Sequence, residues 1–292
     1  MTQFNFQAIG TTWQIDLYHT LSLEEERRVF ACIQERIAVF DQAYSRFRSD
    51  SIVTRMSQQA GVYTLPDDAQ LMLSVYADLY TRTGGLFTPL VGNMLADAGY
   101  DAQYSLRQKK ALEMPPSWDE ALEYQHPTLV IKKPILLDFG AGGKGYLVDL
   151  VGQVLEANGI FEYCVDAGGD MLHKNKTPLR VGLENPENTK EVFGVCSLKD
   201  ASLCGSAGNR RAWGNFTHII NPHTKTSPRD IIAVWVVAQT ALIADALTTC
   251  LFFVDAHVLT DAYIFEYLLI RSDHSIEKSL NFSAELFVSS DK

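Results

Sequence analysis

The chain predicts an α+β fold, with mixed sheets and packed helices, and three observations lead there. Apolar runs of strand length and stretches of helical periodicity are interspersed irregularly, not in the strict alternation of a parallel βαβ protein. No segment repeats itself at a period of roughly 20–50 residues, which excludes solenoids and propellers. No low-complexity tract or linker divides the 292 residues, so a single domain over 1–292 is expected, long enough to bury a sizeable core.

The elements follow in order. After Gly10-Thr11-Thr12 interrupts an aromatic opening, Trp13-Gln14-Ile15-Asp16-Leu17 alternates like a half-buried strand. Ser22 followed by Glu25 forms a capping-box pattern, and Val29, Ile33, Ile37 and Phe40 recur at helical spacing. Together they predict a helix over 23–44 whose apolar stripe enters the core. Residues 45–51 are polar and turn-like, with a short helix after them. Pro66-Asp67-Asp68 starts another helix, which Gly84-Gly85 ends. Gly and Pro punctuate 86–104 and predict a loop, and the polar stretch 105–127 reads as a surface excursion. Leu129-Val130-Ile131 and Ile135-Leu136-Leu137 flank Lys132-Lys133-Pro134 and predict a hairpin. The helix behind Gly145 carries Leu147, Leu150, Val151, Val154 and Leu155 and stops at Asn158-Gly159. Strands are expected over 163–165, 179–183, 192–198 and 231–238, a buried helix over 240–254, and a last strand or helix over 261–270.

Composition narrows the function classes. A formal net charge of -10, from 35 acidic and 25 basic residues, lacks the basic footprint of a nucleic-acid or anionic-membrane binder. The five cysteines are odd in number and form no Cys-x-x-Cys pair, which suits a reducing compartment rather than a disulfide framework or zinc knuckle. The N-terminus shows no basic and apolar leader pattern, and no segment reaches the ~18 apolar residues of a spanning helix. A soluble cytoplasmic protein without a membrane anchor is expected.

Three segments could carry chemistry. Asp138-Phe139-Gly140-Ala141-Gly142-Gly143-Lys144-Gly145 lies ahead of a helix, where glycines let backbone amides approach an anion and the helix N-terminus favours negative charge. Lys144 could add a phosphate contact, and a ligand-free Gly-rich turn is the competing reading. Asp245 and Thr249 are four apart and share a helix face, and their hard oxygens suit magnesium better than zinc. A carboxylate inside so apolar a helix must be coordinated, or else bonded to backbone or an arginine. His218 opens Thr217-His218-Ile219-Ile220-Asn221-Pro222-His223 and could act as a general base or serve a structural role. Around these stand Phe87 in a Gly- and Pro-constrained loop, Gly168-Gly169 after a strand, and Tyr44, Arg46, Phe47 and Arg48 in the segment 41–51.

In chain order these segments resemble the ApbE family of FAD:protein FMN transferases. The matching stretches are Ile9-Gly10-Thr11-Thr12-Trp13, Ser45-Arg46-Phe47-Arg48-Ser49-Asp50-Ser51, Gly85-Leu86-Phe87-Thr88-Pro89-Leu90-Val91-Gly92, the Gly-rich stretch from Leu137 to Asp149, Asp166-Ala167-Gly168-Gly169-Asp170, Val181-Gly182-Leu183-Glu184-Asn185-Pro186, His218-Ile219-Ile220-Asn221-Pro222 and Ala244-Asp245-Ala246-Leu247-Thr248-Thr249. The resemblance implies an ApbE-like architecture and a magnesium ion, or manganese in its place, on Asp245, Thr249 and the Gly143 carbonyl. FAD is then the substrate, contacted by Phe47, Phe87, Asp138, Lys144, Gly168 and Gly169. His218 is the implied base, the acceptor is a Ser or Thr hydroxyl of a partner protein, and AMP is released. A magnesium-dependent FAD pyrophosphatase and a non-catalytic FAD-binding protein are the alternatives. The chain departs from the family pattern at Thr88 and Asn221, where Asp is usual, at Leu90 in place of Thr, at Ile52 in place of an acid, and at Ala141 and Lys225 in place of Gly.

Overall fold

The computed structural model describes residues 1–209 and 211–287. The chain begins with β1 (Thr2–Ala8), β2 (Thr11–Leu17), α1 (Leu23–Tyr44), α2 (Ile52–Gln58), β3 (Gly61–Thr64) and α3 (Ala69–Arg82). A short 3-10 turn at Pro89–Val91 leads into α4 (Gly92–Ala98), followed by α5 (Trp118–Ala121), β4 (Leu122–Gln125) and β5 (Thr128–Ile131). Then come α6 (Gly143–Ala157), β6 (Tyr163–Ala167), β7 (Met171–Lys174), β8 (Leu179–Asn185), β9 (Asn188–Leu198) and β10 (Ala201–Ala207). The described chain ends with β11 (Ala212–Trp213), β12 (Phe216–Thr217), β13 (Ile231–Ala238), α7 (Ala241–Cys250), α8 (His257–Thr260), β14 (Phe265–Arg271), β15 (Ile276–Lys278) and β16 (Ala284–Leu286).

An eight-stranded antiparallel sheet in the order β1-β2-β6-β7-β10-β13-β14-β15 organises the fold. Helices α1, α6 and α7 cover one face, and the three-stranded sheet β16-β9-β8 covers part of the other. Strand β13 shows why its sequence is apolar throughout. Val234, Val236 and Ala238 enter the helix-side core, while Ala233 and Trp235 enter the core under β8 and β9. A strand buried on both faces has no polar side to alternate with. A third, smaller cluster joins Met94, Leu95 and Ala98 of α4 with Tyr100, Leu112, Trp213 and Ile220.

The predicted helix α1 forms as expected, with Ser22 and Glu25 bonding each other's backbone amides in a capping box. Two expectations are corrected. The span 86–104 is not a simple loop, because Pro89–Val91 and α4 lie within it. Residues 135–137 form no strand, so β5 has no hairpin partner there and pairs instead with β3 and β4. The Gly-rich segment therefore follows an irregular stretch rather than a strand, and that stretch is held by the Asp138 amide bonding the Pro89 carbonyl at 2.8 Å. Among the described residues, no helix is long and apolar enough to cross a membrane.

Glycine 145 sets the distance between α6 and α7. A Cβ there would lie 2.1 Å from the Ala241 carbonyl oxygen and 2.7 Å from the Asp245 Cβ. Only hydrogen fits, and the absence of a side chain lets the Gly145 amide reach the Asp245 carboxylate at 2.9 Å. Gly145→Ala should lose about 3 kcal/mol of stability, the upper range for overpacking a tight core. Urea denaturation of the two proteins checks this, and an unchanged midpoint would contradict the close packing of the two helices.

Candidate active site

The turn ahead of α6 is built from its own polar groups. Asp138 Oδ1 accepts from the Gly140 amide at 2.7 Å, and the Phe139 carbonyl accepts from the Gly143 amide at 2.7 Å. Gly142 lies against Ala246 and Leu242 of α7, so the turn packs directly on that helix. At the start of α7, the Asp149 carboxylate accepts from the Ala241 and Leu242 amides at 2.8 Å each. Helix N-termini favour negative charge in this position. Two carboxylates, Asp149 and Asp245, thus tie α6 to α7.

Between the helix-side core and the α4 cluster lies a cavity of about 480 Å³. That is within the usual range for small-molecule sites. Asp245 and Thr249 line it from α7, Gly143 and Lys144 from α6, and Asp138 from the Gly-rich turn. Phe47, Phe87 and His218 also line it, together with Arg46, Arg211, Tyr100 and Tyr104. The structure therefore brings together eight of the ten site residues that the family resemblance implies. Gly168 and Gly169 do not join them. Both have positive φ (65° and 99°) and make the two-residue turn between β6 and β7, closed by the Ala167 amide bonding the Asp170 carbonyl at 2.9 Å. They line a neighbouring cavity, and Ser206 lines both.

The electrostatics are dominated by burial. Asp245 is 5% exposed, and desolvation pushes its carboxyl up to about 7. Asp170 adds to the rise, while Lys144 and the Gly145 amide oppose it. Lys144 bonds the Asp170 carboxylate and, at 3.3 Å, the Ala167 carbonyl. Its burial works against the ammonium, but Asp170 and Asp245 outweigh that and hold it above its ordinary value. Burial, reinforced by Arg211, pushes the His218 imidazole down to about 4. The ring is therefore neutral near pH 7, and its Nδ1 is buried with no hydrogen-bond partner among the described residues. Burial also lifts Asp149 to about 6.

The aromatic side of the cavity is layered. Phe47 stacks on Tyr104 at 5.1 Å between ring centres and meets Tyr100 edge-on at 5.4 Å. The Arg46 guanidinium lies 4.2 Å from the Phe47 ring centre and 4.6 Å from that of Tyr100. It bonds Asp138 and the Tyr100 carbonyl, leaving its buried Nη2 without a partner among the described residues. Phe87 is 1% exposed and packs against Tyr76, so it serves chiefly as a wall. Asp138 spends both carboxylate oxygens inside the protein, on Arg46 and Gly140.

The donor set suits a hard cation. No group of three or more His, Cys, Asp or Glu side chains arranged for a metal occurs among the described residues. A cation here would be held by mixed oxygen donors: the Asp245 carboxylate, the Thr249 hydroxyl and the Gly143 carbonyl. Such oxygens fit magnesium or manganese and not zinc. The buried Asp245 carboxylate, matched by a single amide, is the observation that supports the fit.

Three departures from the family pattern keep the local backbone. Thr88 caps the 3-10 turn by accepting from the Leu90 amide at 3.2 Å, a bond an Asp could also accept. Asn221 Oδ1 accepts from the His223 and Thr224 amides at 2.9 and 3.0 Å, again as an Asp would. Lys225 stands at φ 62°, in the left-handed region that Gly enters without strain.

Sequence reasoning passed over Arg211 and the hairpin that presents it. The signal was Gly214-Asn215 between Trp213 and Phe216, a two-residue hairpin turn flanked by aromatic residues. β11 and β12 pair across that turn, with Trp213 opposite Phe216.

Known proteins resemble this chain in sequence and in fold. A family model described as "ApbE family" matches residues 9–262. The FAD:protein FMN transferase of Escherichia coli K12 is 22% identical over 276 residues, covering 85% of this chain and 77% of that protein. That of Rhodobacter capsulatus is 30% identical over 190 residues, covering 60% of this chain and 36% of the relative. The structure of the flavin transferase ApbE from Vibrio cholerae superposes with a TM-score of 0.81 at 20% identity, covering 96% of this chain and 97% of that one. With its family pattern matched over most of its length and the same α+β fold, the chain belongs to the ApbE family.

Proposed function

We propose that this chain is an FAD:protein FMN transferase: it moves the FMN half of FAD onto a Ser or Thr hydroxyl of a partner protein and releases AMP. The whole chain is taken as one catalytic unit. One observation carries the reading. Asp245 and Thr249, a helical turn apart, open on the same cavity as Gly143, Lys144 and His218. The names of the relatives point to the same activity.

A magnesium ion on Asp245, Thr249 and the Gly143 carbonyl would neutralise charge on the pyrophosphate as its anhydride bond breaks. The chain's own residues bind and orient. Phe47 and Phe87 form the aromatic wall for the flavin, and Asp138 holds Arg46 and the Gly-rich turn in place. Lys144 lies beside Asp245, its charge shared with Asp170. For Gly168 and Gly169 to contact the same dinucleotide, FAD must extend past Ser206 from one cavity into the next.

His218 is neutral near pH 7 and can take the proton of the acceptor hydroxyl. The freed oxygen attacks the FMN phosphorus, the bond from phosphorus to the AMP oxygen breaks, and AMP leaves with that electron pair. Catalysis on this plan is positioning and charge stabilisation.

Purified protein incubated with FAD, magnesium and an acceptor should give AMP and acceptor carrying covalent FMN. Free FMN without labelled acceptor would point to the pyrophosphatase reading instead. Asp245→Asn keeps an oxygen for the Gly145 amide but loses the charge, and should slow transfer by on the order of a thousandfold. Transfer at the wild-type rate in that variant would remove the metal assignment.

His218 also predicts a pH dependence of stability. Its folded pKa lies below its unfolded value, so the unfolded chain binds a proton that the folded chain refuses between about pH 6.5 and 4. Stability from this group is present above pH 6.5 and is lost as pH falls towards 4. Relative to His218→Gln, the wild type should lose stability across that window in chemical denaturation. Parallel pH curves for the two proteins would contradict the buried, neutral imidazole.

A further inference from the structure

Among the described residues, one cation in the cavity wall has no counter-charge. Arg46, Arg48, Lys144 and Arg211 all line the cavity. Arg46 pairs with Asp138, Lys144 with Asp170, and Arg48 with Asp41 and Asp50. Arg211 has no carboxylate partner among the described residues. Its Nη1 donates to the Tyr100 hydroxyl at 2.8 Å, and its guanidinium stands 5.8 Å from the Tyr100 ring centre.

Strand register puts this arginine beside the histidine. Ala212 pairs with Thr217 and Trp213 with Phe216. One step further out, the His218 amide donates to the Arg211 carbonyl at 3.1 Å. Arg211 and His218 are thus opposite each other across the ribbon, and such partners project to the same side with Cβ atoms about 5 Å apart. Both side chains line the cavity.

A guanidinium offers a planar fork of N–H donors that matches phosphate oxygens. The cavity's other cations are already neutralised by carboxylates. The base must lie next to the hydroxyl that attacks phosphorus, so a cation beside His218 is beside that phosphorus. We propose that Arg211 grips the phosphoryl oxygens of the dinucleotide's pyrophosphate and stabilises the charge that gathers there during transfer.

This inference rests on the flavin-transfer reading. In the step itself, the acceptor oxygen loses its proton to His218 and bonds to phosphorus, and the bond from phosphorus to the AMP oxygen breaks with its electron pair on AMP. Arg211 exchanges no atom. The same positive charge helps keep His218 unprotonated. Lys144 acts in that direction too, and Asp138 acts against it.

The test uses the full chain as wild type, Arg211→Gln and Arg211→Lys, with magnesium present. FAD and riboflavin binding are followed by flavin fluorescence, ADP binding by calorimetry, and His218 protonation by NMR of its ring protons. Arg211→Gln should weaken FAD and ADP tenfold or more, on the order of one charge-assisted hydrogen bond. Riboflavin, which has no phosphate, should bind as in wild type, and the His218 midpoint should move up. Arg211→Lys should recover part of the affinity and return the midpoint towards its wild-type position. Unchanged FAD and ADP affinities with an unmoved His218 midpoint would overturn the proposal. So would an equal loss of riboflavin, which would mark Arg211 as a structural support. Wild-type protein that takes up ADP but not FAD would remove the flavin-transfer reading while the ADP comparison still decides Arg211. Wild type that takes up neither would remove both.

Discussion

The bond from the Gly145 amide to the Asp245 carboxylate is the contact on which the rest of the site depends. A carboxylate 5% exposed within an apolar helix is costly unless something compensates it. Here one charge-assisted bond of 2.9 Å does so in part, and it exists because α6 carries no side chain at the crossing point. Four residues along α6, Asp149 takes up the first two amides of α7. The two helices are therefore pinned at two points about one turn apart, which fixes the rotation of α7 about its own axis. That rotation decides that Thr249 faces the cavity along with Asp245. A side chain at position 145 would disturb all of this at once, which makes the glycine a constraint on function as much as on stability.

The cavity sits where two cores meet without fusing. The sheet and its covering helices form one, while α4, the 100–112 segment and the β11–β12 ribbon form the other. The first supplies the rigid carboxylate and hydroxyl, and the second supplies His218 and Arg211. Arg46 bridges them, bonding Asp138 on one side and the Tyr100 carbonyl on the other. Its spare Nη2 and the spare Nδ1 of His218 are buried polar atoms that nothing in the described chain satisfies. Native proteins rarely leave such groups unmatched, and a catalytic role or a bound water or ion is among the usual reasons.

Most of the regular elements with a strong local signal were legible in the sequence. Helix α1 could be read because its cap and its apolar spacing agree. Asp245 and Thr249 could be paired because helical periodicity alone places them on one face. The failures have a common cause. Helix α4 is short and rich in Gly and small residues, and it exists because Met94, Leu95 and Ala98 pack on distant residues such as Trp213 and Ile220. Ile135 and Leu137 are apolar because they are buried in the core, not because they lie in a strand. Burial and strand periodicity look alike over three residues. Arg211 was invisible for another reason. Its meaning comes from being, among the described residues, the one of four cavity cations without a carboxylate partner, and pairing is a tertiary property.

The titration shifts of Asp245 and His218 are two results of one cause. Burial penalises whichever form is charged, so it raises the acid and depresses the base. Both groups are pushed towards neutrality in the same cavity, while Arg46, Arg48 and Lys144 are cancelled locally by acidic neighbours. Arg211 is then the one Lys or Arg of the wall left without a carboxylate among the described residues. A ligand that brings both a divalent cation and an anionic pyrophosphate reverses the penalty on Asp245 by giving its charge a partner, and it leaves His218 neutral and able to accept a proton. Neither half of such a ligand would do this alone. The anion without the cation would face Asp245 as a second negative charge, and the cation without the anion would stand near Arg211 and Lys144. On the proposed reading the wall would favour the pair together, as a site for a metal-bound nucleotide anhydride must.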